Sequence, residues 1–132
     1  MSEIEVRSVT EYMTNLVNSG EDIRVFIDFH SYGQMWMSPW GYTENSRPDD
    51  FDDQNNLLAD AVAAVVAAYG TNYTHGPIAN TMYVASGNSV DWTYGALGIT
   101  YSYVVELRDK GWYGFSLLRS LIVIETPLKQ LM

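Results

Sequence analysis

Residues Arg24 to His30 alternate strictly, and that alternation constrains the fold more than any other feature. Val25, Ile27 and Phe29 point one way, and Phe26, Asp28 and His30 the other, which is the period of a β-strand with two different faces. Ile99 to Leu107, rich in Tyr, Val and Ile, reads as a second, more deeply buried strand. Helical segments separate the strands. Val6, Val9, Met13, Leu16 and Val17 recur with helical spacing between a Ser2/Glu5 capping box and Gly20, which predicts a helix from Glu3 to Asn18. Asp49 or Asp50 can cap a long helix whose apolar face carries Leu57, Leu58, Ala61, Val62, Val65, Val66 and Tyr69, with Gly70 as its stop.

Weaker signals fill the rest. Gln34 to Ser38 reads as a short strand, Pro39 to Arg47 as loop, and Thr71 to Asn80 as irregular chain with a short strand near Tyr73. Ser89 to Tyr94 makes one or two helical turns, and the run after Leu117 is apolar until Pro127 breaks it. Helices alternating with strands predict an α/β fold with a partly parallel sheet. A chain of 132 residues suits one domain.

A net charge of −9 without clustered Lys or Arg argues against nucleic acid as a partner. The run Asp49-Asp50-Phe51-Asp52-Asp53 reads as a solvated helix start; it lacks the Gly turn and final Glu of an EF-hand loop. The chain has no Cys, so it forms no internal disulfide. No apolar run reaches membrane-spanning length, and Met1 to Glu5 does not read as a signal peptide.

Three positions could carry chemistry. His30 ends a strand, where open α/β sheets face their ligand crevice; it is either a satisfied structural residue or a metal ligand. Glu106 is a carboxylate at the end of an apolar strand, held there by pairing or by a catalytic task. Tyr83 lies among small residues and is either a core aromatic or a mobile group over a pocket. His75, in Thr74-His75-Gly76-Pro77, reads as a surface loop residue.

Four segments in fixed order resemble the second half of the zinc carboxypeptidases of the carboxypeptidase A/B type (peptidase family M14), from about Ser2 to Phe115. They are Ile27-Asp28-Phe29-His30-Ser31-Tyr32-Gly33-Gln34 with Pro39-Trp40-Gly41-Tyr42; Tyr83; Ala85-Ser86-Gly87-Asn88-Ser89-Val90-Asp91-Trp92; and Val105-Glu106-Leu107-Arg108-Asp109. The resemblance implies that His30 binds Zn2+, that Ser31 and Tyr32 line the substrate site, and that Glu106 is the general base. It implies that Tyr83 caps the bound peptide's last residue. It further implies a side-chain pocket built from Met37, Gly41, Ile78, Ala85, Asn88, Val90 and Val104, with uncharged Val90 at its base selecting apolar or aromatic ends. Cis peptide bonds at Ser31–Tyr32, Pro39–Trp40 and Arg108–Asp109 are implied as well. The substrate would be a peptide with a free C-terminal carboxylate, and the complete protein would be secreted.

The family's other two zinc ligands come from an upstream His-x-x-Glu motif, and its substrate-gripping arginines from an Asn-Arg pair. Neither motif occurs in this sequence. The resemblance implies an incomplete carboxypeptidase fold, a mixed, mostly parallel sheet with packed helices and the N-terminal half missing, with residues 116–132 as a divergent tail and no activity in isolation. The competing expectation is a peptide-binding module without catalysis, or a fragment with no function.

Overall fold

In the computed structural model, residues 3–116, 118 and 119 are described. The elements run α1 (Ile4–Asn18), β1 (Val25–Ser31), β2 (Met35–Ser38), α2 (Phe51–Tyr69), β3 (Thr74–Pro77), α3 (Ile78–Thr81), α4 (Ser89–Leu97) and β4 (Tyr101–Leu107), then a 3-10 turn at Gly114–Ser116. Four strands form one sheet in the order β1-β4-β2-β3. The β1/β4 and β2/β3 pairs are parallel and the β2/β4 pair is antiparallel, giving the expected mixed, mostly parallel sheet. All three non-proline bonds named above are cis.

Several local readings differ from the structure. The capping residue of α1 is Glu3, with no side-chain cap bond, and Ser2 lies outside the described residues. Asp50 caps α2 without a side-chain bond, whereas Gly70 closes it in the left-handed conformation that glycine adopts without steric cost. Leu57 and Val66, expected on the apolar face of α2, are exposed; Gln54 and Leu58 are the buried positions. Gln54 is tolerated there because its amide donates to the Thr100 carbonyl at 2.8 Å. His75 is not a surface loop residue: it lies in β3 opposite Trp36 and is half-buried. The segment from Thr71 carries β3, the short strand expected near Tyr73, and then α3, which the sequence reading lacked. The run after Leu117, with Pro127, falls almost entirely outside the described residues.

The core on one sheet face centres on Met37, Ile78 and Val90, with Phe26, Met35, Met82 and Val104 packed against it. Helix α4 covers this side. Its cap is Asn88, whose side-chain oxygen accepts from the Asp91 amide at 2.7 Å and satisfies a donor left open at every helix start. The opposite face carries Val105 and Leu107, lining a hollow with Val65 and Tyr69 of α2. Strand β1 forms a sheet edge, and Phe29 on it is 65% exposed. Helix α1 has no buried residue.

Candidate active site

Strands β1 and β4 pair with Asp28 opposite Val104 and His30 opposite Glu106. Strand β2 continues both rows, with Met37 beside Val104 and Met35 beside Glu106. Side chains two residues apart share a sheet face, so Asp28, His30, Val104 and Glu106 project to one side. They line a cleft of about 230 Å³. Met37 and Val90, both 0% exposed, close its apolar side together with Ile78. Ala85 and Asn88 come from the loop before α4. Tyr83 stands at the cleft 63% exposed, so it is not a core residue.

Glu106 is half-buried, and its Oε2 is buried with no hydrogen-bond partner among the described residues. Burial pushes its pKa above the usual carboxylate range; His30 opposes this and Asp28 adds to it. His30 places Nε2 3.1 Å from Asp28 Oδ1, and the other Asp28 oxygen accepts from the Ser89 hydroxyl.

Three expected site residues do not line the cleft. Ser31 ends β1 beyond it. The Tyr32 ring packs edge-on against Phe115, with centroids 5.0 Å apart, and lies under the turn that Asp109 organises. Asp109 is subject to a burial cost that raises its pKa, but amide donation from Tyr113, Gly111 and Gly114 outweighs this and holds it below the usual range. Gly41 stands behind the pocket wall. A Cβ there would lie 2.5 Å from Asn88 Nδ2 and 3.0 Å from the Ala85 carbonyl oxygen, so the close approach requires glycine. Its carbonyl accepts from the Ala85 amide at 2.7 Å, and its amide donates to Asp91 Oδ1 at 2.8 Å.

Sequence reasoning left out Asp28, Met82 and Ser89, all of which line the cleft. The strand alternation contained the signal for Asp28, since it shares a face with His30. For Ser89, only its hydrogen bond across the cleft shows the role.

A catalytic zinc takes three protein ligands and keeps an open position. Among the described residues no group of three or more His, Cys, Asp or Glu could hold a metal. His30 offers one imidazole, and the described residues do not make a catalytic zinc centre by themselves.

The family model described as zinc carboxypeptidase matches residues 1–126. Carboxypeptidase B of Astacus astacus is 43% identical over 122 residues, covering 92% of this chain and 39% of that protein. Carboxypeptidase A1 of Sus scrofa is also 43% identical over 122 residues, covering 92% of this chain and 28% of that protein. Among solved structures, bovine thrombin-activatable fibrinolysis inhibitor in complex with tick carboxypeptidase inhibitor superposes with a TM-score of 0.84 at 39% identity. That match covers 93% of this chain and 40% of the other. The chain thus spans about two fifths or less of the length of these relatives. With nearly all of its length matched in sequence and in fold, the chain belongs to the zinc carboxypeptidase family.

Proposed function

We propose that this chain supplies the pocket side of a metallocarboxypeptidase site, which hydrolyses the C-terminal peptide bond of a substrate with a free carboxylate. The observation that carries the reading is one cleft that joins His30 and Glu106 at a single strand register to the apolar group Met37, Ile78 and Val90. The terminal side chain occupies the apolar end. Val90 carries no charge, so apolar or aromatic residues are favoured there. Tyr83 closes over the bound residue. Ser31 and Tyr32, beyond the cleft, contact the peptide upstream of the scissile bond.

Glu106 is the proton carrier. It takes the proton of the water that attacks the scissile carbonyl and returns it to the departing amine. Burial raises its pKa, which makes it a stronger proton acceptor than an ordinary exposed carboxylate. His30 is one of the family's zinc ligands. The remaining ligands and the arginines that grip the substrate carboxylate come from outside this chain. The 132-residue chain alone is inactive. The complete protein acts outside the cell on peptides, with neither nucleic acid nor membrane as partner. Among the described residues no helix is long and apolar enough to cross a membrane.

Two measurements test this reading. The purified chain should hold less than stoichiometric zinc and release no terminal residue. Residues 2 to 115, joined to the front half of a complete relative, should release Phe or Leu, and Glu106→Gln should lower that kcat by roughly 10²- to 10⁴-fold. Full activity in the Gln variant, or activity in the isolated chain, would overturn the proposal.

A further inference from the structure

Among the described residues, the cleft walls hold two carboxylates, Asp28 and Glu106, with one imidazole and no Lys or Arg. Asp28 belongs to the row Asp28–Val104–Met37, one step along the strands from the row His30–Glu106–Met35. Two residues of strand separate the rows by about 6.6 Å. Met37 in the Asp28 row is fully buried, while His30 in the other row is exposed, so the Asp28 row lies toward the cleft's closed apolar side. The Asp28 side chain is 33% exposed and therefore accessible to a ligand.

Among the described residues its contacts come from His30 and Ser89, which leave capacity on a carboxylate with about four acceptor positions. Ser89 and His30 also fix the orientation of the group. A preoriented anion beside Met37, Ile78 and Val90 matches one chemistry: a straight aliphatic stem ending in a cation. The stem covers apolar surface, and the cation loses its water only where a counter-charge awaits it.

We propose that Asp28 is a specificity-determining residue that lets this pocket take a C-terminal lysine in addition to apolar ends. The proposal rests on reading the cleft as the terminal-residue pocket, and it goes beyond the apolar preference drawn from Val90. Asp28 is the anchor because it is the carboxylate one row beyond Glu106. Glu106 stands at the level of the scissile bond, too early along the cleft to meet the tip of a four-carbon stem.

The test uses the 132-residue chain itself. N-acetyl-lysine and N-acetyl-norleucine share the four-carbon stem and differ by the ammonium group. Each is titrated into the labelled chain while the amide resonances of Asn88, Val90, Val104 and Glu106 are followed. Lysine should bind about fivefold more tightly, the scale of a partly exposed ion pair. Asp28→Asn should remove that difference. Asp28→Ser provides a second variant if the Asn protein does not fold, and the comparison in the unmutated chain decides the matter without either. Equal affinities in the unmutated chain overturn the proposal. So does a lysine preference that survives loss of Asp28 but disappears in Glu106→Gln, since the cation then pairs with Glu106. If neither compound shifts the cleft resonances, the pocket reading itself fails.

Discussion

Asp91→Asn should destabilise the chain through a joint that the sequence motifs did not isolate. Asp91 sits in the first turn of α4, and its carboxylate accepts from the Gly41 amide at 2.8 and 3.1 Å and from the Tyr42 amide at 3.0 Å. It ties the loop after β2 to the helix that covers the core. Gly41 in turn holds Ala85 through its carbonyl, so one side chain fixes two segments of the pocket wall. Asparagine keeps one acceptor oxygen but turns the other position into a donor facing a backbone N–H. Losing a hydrogen bond to a charged group costs about 1.5–3 kcal/mol. Removing a negative charge from a helix's first turn adds about 0.3–1 kcal/mol. Tyr42 is exposed, so water reclaims its amide and the sum falls to roughly 2–3 kcal/mol. Urea unfolding followed by far-ultraviolet circular dichroism measures it, a probe unaffected by local changes at Trp40. Amide shifts at Gly41, Tyr42 and Ala85 should accompany the loss. A cost below about 0.5 kcal/mol, within the range of ordinary surface substitutions, would refute the joint.

Glu106→Gln should change how stability depends on pH. Burial raises the Glu106 pKa in the folded chain, so the folded state holds this proton more tightly than the unfolded state. That contribution is complete below the unfolded pKa and is lost as pH rises through the folded value. The Gln variant never ionises, so its stability relative to the unmutated chain should improve as pH rises above the unfolded carboxylate value of about 4.3 in urea titrations; an unchanged difference would refute the burial of this charge. Val90→Asp, measured by kcat/KM in a completed catalytic domain, should shift preference from Phe and Leu ends toward Lys and Arg by at least about tenfold, and an unaltered ratio would remove Val90 from the pocket base. The isolated chain should self-associate, because β1 is a sheet edge with Val25 and Phe29 exposed; a monomer by sedimentation at high concentration would contradict this.

The extent of β1 and β4 was legible because alternation and β-branched content are local properties, and α2 ended at Gly70 because only a left-handed residue closes a helix that way. Order and spacing of the four segments carried the family, and with it the expectation that His30 and Glu106 share a site. Local pattern could not supply partners. Nothing near Asp28 shows that Ser89 bonds to it across the cleft, nor that Val104 stands beside it on the next strand. Tyr32 follows His30 in sequence, yet its ring turns to Phe115, a contact made by a segment more than eighty residues on. Gly41 reads as a pocket residue but serves as the space behind one, because its neighbours Asn88 and Ala85 arrive from a distant loop. The sequence by itself determined the segments that form α1, α2, β1, β2 and β4, and which residues carry acid, base or imidazole chemistry. Strand register and loop packing decided which of those groups face the same cleft, because both depend on contacts between segments far apart in the chain, whose energies no local window contains.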